Sequence, residues 1–289
     1  MRIIPEKPCY ITKSSCICHV YDGPCQTKMG QEPDYKAVIT DANLRRRMGR
    51  LLKMSVSCGL ETLQGVSPES VAGIITFTGM GFMKDTISFG DSIFDRGEEL
   101  LNPSPFMQST FNTASGYIAL MKKIRAYNTT YVQQASGFSA AFADAVMLLE
   151  ENPGWSVLVG GFDEITPEVD ALRRRSGIYL YSPGVPMPLG EGCGFFLLSD
   201  DACGAGHRIR GVTSVSDDVS AFVSGCLNDI DGIQVNVEKC RNWVHEYGAF
   251  RSMLPVMIAD RLRYDGSPFT LYMDDLNPDG LMVLVEKIS

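Results

Sequence analysis

The chain has 289 residues, 45% of them hydrophobic, and a formal net charge of −8 at neutral pH. That length can bury a full core, in one large domain or in two lobes sharing one, and the acidic balance argues against nucleic acid as a partner. The longest apolar stretches, such as VLVGG and GFFLLS, fall far short of the roughly 20 residues of a membrane-spanning helix. The opening MRIIPEKPCY has no apolar core of a secretion signal. Tyr10, Ile11 and Ile17 read as strand residues around Cys9, Cys16, Cys18, His19 and Cys25. This group lacks paired C-x-x-C knuckles, so semi-buried thiols are expected rather than zinc. The nine cysteines, an odd number, form no small-scaffold disulfide framework, which points to reduced thiols in a cytoplasmic setting.

Asp41 is a candidate N-cap for a helix running to about Leu63, with Leu44, Met48, Leu51, Leu52 and Leu63 on its apolar face. Arg45, Arg46, Arg47, Arg50 and Lys53 fall in the same helix, while Arg173, Arg174 and Arg175 fall in a loop-like region. Either basic run could meet an acidic protein or a phosphate, against the simpler reading of solvated charge. VAGIITFTGMGF, from Val71, suggests a buried strand ending in a glycine-rich turn, and turn residues around NPSPF follow. NTASGYIALMKKI predicts a helix behind the central sheet.

The β-prone run Thr129, Thr130, Tyr131, Val132 and Gln133 leads through Gln134 into a small-residue turn. Beyond it, Phe138, Ala141, Phe142, Ala145 and Leu149 keep the spacing of a core helix. WSVLVGGFDE and GEGCGFFLLSD predict buried strands, the second closing the first half near residue 201. Later, DIDGIQVNV reads as a strand, GAFRSMLPVMIADRL as a helix that Pro255 kinks or starts, and FTLYMDDLNPDGLMVLVEKI as a closing hairpin. Alternating strands and helices imply a layered α/β or α/β/α build. Tandem repeats, low-complexity segments and interdomain linkers are not evident.

NPSPFMQSTFNTASGYIA, QASGFSAAFADAV, VLVGGFDE and PLGEGCGFFLLS, in this order, resemble the β-ketoacyl synthases, the thiolase-fold condensing enzymes, over residues 37–201. The resemblance implies a layered α-β-α-β-α fold with two pseudo-repeats: residues 1–201 as the first and 202–289 as an abbreviated second. In that family a cysteine at a helix N-terminus attacks an acyl thioester, two histidines assist decarboxylation and backbone amides form an oxyanion hole. The resemblance places Gln134 at the cysteine position, and no cysteine stands between Cys58 and Cys193.

The family's first histidine loop would fall near IQVNVEKC, which holds none. His245 in VHEYGAF is the candidate remnant of the second, and DDLNPDG replaces the family's terminal glycine-rich turn. A degenerate member is therefore expected: a non-catalytic partner, or chain-length factor, for an active ketosynthase in fatty-acid, polyketide or aryl-polyene-type biosynthesis. The alternatives are an acyltransferase or malonyl decarboxylase with residual activity, and a binding module for acyl chains or carrier protein.

The resemblance also implies a dimer through Thr129, Thr130, Tyr131, Val132 and Gln133, either with itself or with the active homologue. It makes Arg45, Arg46, Arg47 and Arg50 a candidate acyl-carrier-protein contact. Phe138 and Phe142 either line an acyl tunnel or fill the core. No cofactor and no metal are expected.

Overall fold

The computed structural model describes residues 2–22, 27–29, 33–97, 99–176, 180–182, 185–227 and 232–288. The chain opens with the long strand β1 (Cys9–Asp22), which pairs with the short β2 (Thr27–Met29). Helices α1 (Ala42–Arg47) and α2 (Arg50–Thr62) follow, then strand β3 (Val71–Thr78). Helices α3 (Met83–Arg96), α4 (Pro103–Ser109) and α5 (Thr113–Lys122) lead to β4 (Tyr127–Val132). A 3-10 turn, Gln134–Ser136, runs into α6 (Gly137–Glu151) and then β5 (Ser156–Asp163). Helix α7 (Pro167–Ser176), the small pair β6 (Leu180–Ser182) and β7 (Val185–Pro186), and β8 (Leu189–Ser199) complete the first half. The second comprises β9 (His207–Ser214), α8 (Val219–Leu227), β10 (Val235–Lys239), α9 (Val244–Tyr247), α10 (Met253–Arg261), β11 (Phe269–Met273) and β12 (Leu281–Lys287).

The main sheet runs β10-β11-β12-β9-β1-β8-β5-β3-β4. At one end β4, β3 and β5 are parallel, β8 is antiparallel to β5, and β1 is antiparallel to β8. The other end repeats this order of senses. β10 and β11 are parallel, β12 is antiparallel to β11, and β9 is antiparallel to β12. Among the described residues no strand there corresponds to β4. The two ends meet along a short antiparallel seam, Cys9–Ile11 against His207–Ile209.

Side-chain alternation sorts the core into layers. Ile74, Leu158, Phe195 and Leu197 face α2 and α5, whereas Ile75, Val157, Val159 and Phe196 face α6 and α10. That middle layer is shared, because Tyr272, Val283 and Val285 of the second strand group pack into it as well. Leu271, Met273, Met282 and Leu284 point the opposite way, onto Phe222 and Val223 of α8. The result is the α-β-α-β-α layering that the resemblance implies. The central strands β3, β5 and β8 are buried on both faces, with the near-continuous apolar runs this requires.

Glycines set the closest approaches. A Cβ on Gly190 would lie 2.2 Å from the Tyr247 carbonyl oxygen, and one on Gly194 would lie 2.9 Å from the Pro255 oxygen. The GEGCG pattern thus lets the α9–α10 segment lie directly on β8. Gly248 has a φ of +71°, and a Cβ there would sit 2.4 Å from the Gly190 Cα.

Several sequence expectations are corrected. The helix expected from Asp41 to Leu63 is two helices, separated at Met48 and Gly49. Asp41 does cap the first, accepting from the Asn43 and Leu44 amides at 2.8 and 3.0 Å. Gln108 repairs the break, accepting from the Gly49 amide at 2.9 Å and donating to the Arg47 carbonyl. The region around NPSPF, read as turns, holds α3 and α4. Arg173 to Arg175 lie in helix α7, not in a loop.

Candidate functional site

The parallel strands β3, β4 and β5 end together, with Thr78 beside Val132 and Phe77 beside Gly161. Open α/β sheets present their chemistry at such carboxyl edges. Asp163, fully buried, organises this one. Its Oδ1 accepts from the Thr78 hydroxyl and from the Gly79 and Met80 amides, each at 3.0 Å. Burial pushes its carboxyl above the usual range, while these donors pull it back.

Gln134 stands where β4 gives way to α6, exposed and with a φ of +53°. That backbone region disfavours side chains other than glycine, and such strain concentrates at functional turns. Ser136 Oγ donates to the Gln133 carbonyl at 2.8 Å, and the Ser136 amide donates to Asp279 Oδ2 at 3.2 Å. The turn between β11 and β12, which the resemblance puts at the position of the family's terminal glycine-rich turn, therefore reaches the Gln134 turn. Its Asp279 pairs with Arg251 at 3.6 Å, and Arg251 donates to Asn277 Oδ1 at 2.7 Å. No local pattern marks Arg251 or Asp279, because Arg251 meets the last hairpin 26–28 residues on and Asp279 meets Ser136, 143 positions away in the chain.

Strand β4 forms the edge of the sheet, and its residues from Thr129 to Tyr131 are half-exposed. Thr76 and Thr130 share a hydroxyl contact at 2.7 Å across β3 and β4. Phe138 and Phe142 are fully packed core residues, and the Phe138 ring lies 5.5 Å from Phe77 and 6.3 Å from Phe196. His245 is exposed on the short helix α9.

A cleft of about 960 Å³ opens at the same edge of the sheet, between α3 and the start of α7. Two buried carboxylates line it, Glu164 and Glu191. Glu191 pairs with Arg50 and accepts from the Tyr21 hydroxyl at 2.6 Å and from the Ile165 amide at 3.2 Å. Arg50 thus turns inward, apart from the other arginines of its run. Arg45 and Arg46 line a small groove with Lys36 and Lys53, and Arg45 donates to the Ile39 carbonyl. Glu164 accepts from the Lys84 amide at 2.7 Å. Burial first, and then the Glu191 and Asp85 carboxylates, push its carboxyl up to about 7.

Burial raises the Cys9 and Cys18 thiols to about 12 and the Cys16 thiol further still. These are protonated thiols on β1; Cys25 lies outside the described residues. Among the described residues no group of three or more His, Cys, Asp or Glu is placed to hold a metal ion. None of their helices is long and apolar enough to cross a membrane.

Two strand groups around a shared helical layer define a thiolase-like protein. Residues 24–190 match the model of the beta-ketoacyl synthase N-terminal domain, and the chain belongs to that family. No curated protein sequence matches it.

Among solved structures it is similar to the ishigamide ketosynthase/chain length factor, with a TM-score of 0.74 and 15% identity over 98% of this chain and 100% of that one. A type II acyl-carrier protein in complex with its hexaketide-bound ketosynthase matches at 0.73 and 13%, covering 98% and 100%. The ketosynthase in complex with its chain length factor from Xenorhabdus doucetiae matches at 0.57 and 13%, covering 97% and 99%. At these identities the likeness concerns the fold.

Proposed function

We propose that this protein is a non-catalytic subunit of chain-length-factor type, which pairs with an active β-ketoacyl synthase. The observation that carries the reading is Gln134. An amide side chain occupies the turn from which this family presents its nucleophile, and an amide does not attack a thioester. Two of the structural neighbours are described with chain length factors, which supports a partner role.

Exposed apolar side chains fit a protein partner. Phe94 and Leu100 are 90% and 93% exposed, Phe106 and Met107 are exposed on α4, and Val132 is exposed on β4. Exposed apolar residues and an unpaired strand edge suit a subunit interface. The dimer contact runs through Thr129 to Gln133, with an intact ketosynthase as the other subunit. Residues 1–201 form the first repeat and 202–289 a second in which, among the described residues, no strand corresponds to β4. The groove at Arg45 and Arg46, together with Arg47, is the contact for an acidic carrier protein, and the pathway is of fatty-acid, polyketide or aryl-polyene type.

The test is turnover by the purified chain alone. Incubated with malonyl-carrier protein, it releases no carbon dioxide above the background rate. Release that disappears on Gln134→Ala would make the chain an enzyme and end the scaffold reading.

A further inference from the structure

We infer that Asp279, held by Arg251, is a built-in carboxylate at the Gln134 turn, which fixes the turn's shape and closes it to substrate anions. The first amides of a helix lack partners within the helix and attract negative charge. Here one of them is already taken, because Asp279 Oδ2 accepts from the Ser136 amide at 3.2 Å. Condensing chemistry needs that region open to an oxyanion or a carboxylate. The Asp279 carboxylate, bonded to the Ser136 amide and paired with Arg251, already occupies that place.

Arg251 keeps the carboxylate in place. Its guanidinium lies 3.6 Å from Asp279 Oδ1 and donates to Asn277 Oδ1 at 2.7 Å. Asn277 is buried and donates in turn to Asp274 Oδ2 at 2.8 Å. On the other side, a Cβ added to Gly79 would lie 2.6 Å from Arg251 Cβ, so the arginine stem packs on the backbone at the end of β3. Strained backbone persists where its surroundings over-determine it. The Arg251–Asp279 pair supplies that constraint, joining the last hairpin to the end of β4. Asp279 is a positioning residue and touches no reacting atom.

The inference rests on the correspondence of Gln134 with the nucleophile position and not on any partner. Gln134→Cys provides a reporter, since a cysteine at a helix N-terminus ordinarily titrates at about 3.5–7.5 instead of 8.5. Alkylation by iodoacetamide, followed against pH on the isolated chain, is expected to give a midpoint no lower than about 8 in Q134C. Adding Asp279→Asn should speed alkylation at pH 7 at least threefold, with the high-pH plateau unchanged. A Q134C midpoint below that value, a smaller gain, or an equal gain at the plateau overturns the inference.

Should Q134C fail to fold, Asp279→Asn alone decides. Hydrogen exchange at the Ser136 amide is then expected to quicken at least tenfold, and a smaller change overturns the inference. Either result is independent of whether a ketosynthase binds.

Discussion

The Tyr131 hydroxyl on edge strand β4 donates to Asp144 Oδ2 on α6 at 3.0 Å, and Tyr127 donates to the same oxygen at 3.0 Å. The strand proposed as the interface is thereby fixed to the helix behind it before any partner arrives. A pre-organised edge loses less conformational freedom on association. Val132, exposed beside this pair, is the most direct place to disturb docking without touching the core. Val132→Glu is expected to weaken association at least tenfold, about 1.4 kcal/mol, while leaving the unfolding temperature unchanged. Sedimentation of the wild type and the variant, each mixed with the partner ketosynthase over a dilution series, measures this, and equal affinities would place the interface elsewhere.

The left-handed backbone at Gln134 makes a second prediction. Gln134→Gly removes the steric cost of a side chain there but adds freedom to the unfolded chain, for a net gain of about 0.5–1 kcal/mol. Denaturant unfolding should show the gain as a higher midpoint at an unchanged slope. A loss of stability would mean that the Gln134 side chain makes contacts worth more than the strain.

Glu164 makes a third. Its carboxyl is raised from 4.5 to about 7, chiefly by burial, so the folded state binds a proton that the unfolded state releases. The stability this gives is fully present below pH 4.5 and is lost as pH rises through 7. Glu164→Gln should therefore be more stable than the wild type at pH 8, by on the order of 2–3 kcal/mol, with the difference vanishing near pH 4.5. Urea unfolding across this range is the measurement, and a difference that does not change with pH would contradict it.

The contact between Gly248 and Gly190 joins α9 to β8. Gly248→Ala places a methyl group against backbone at a positive φ and is expected to cost about 2 kcal/mol or more. Gly116→Ala, where an added Cβ meets nothing within 4 Å, serves as the helical control. Thermal unfolding of the two variants should separate them clearly.

Much of the first half was legible because its signals are local. VAGIITFT and WSVLVGGFD are apolar runs bounded by turns, and they form β3 and β5. The helix after Gln134 keeps its apolar spacing and forms α6. The closing hairpin was also legible, as β11 and β12. Local pattern failed where a distant group decides. Gln108 replaces helical hydrogen bonds at Gly49, so no spacing rule reveals the break there.

Helix α3 keeps Met83, Ile87 and Phe94 at helical spacing, yet none of its residues is fully buried. The inward turn of Arg50 depends on Glu191, 141 positions away in the chain. Arg251 and Asp279 meet only because the last hairpin reaches back to the end of β4. For the same reason the resemblance could place Gln134 at the family's cysteine position, but not the Asp279 carboxylate at the Ser136 amide two residues on.

The central claim is the partner, and native mass spectrometry of the tagged protein captured from its own host tests it most directly. The account predicts a one-to-one complex with a ketosynthase that retains its cysteine, and loss of that complex for Val132→Glu. Recovery of the chain only as a monomer or as a complex with itself, from cells that contain such a ketosynthase, would contradict it.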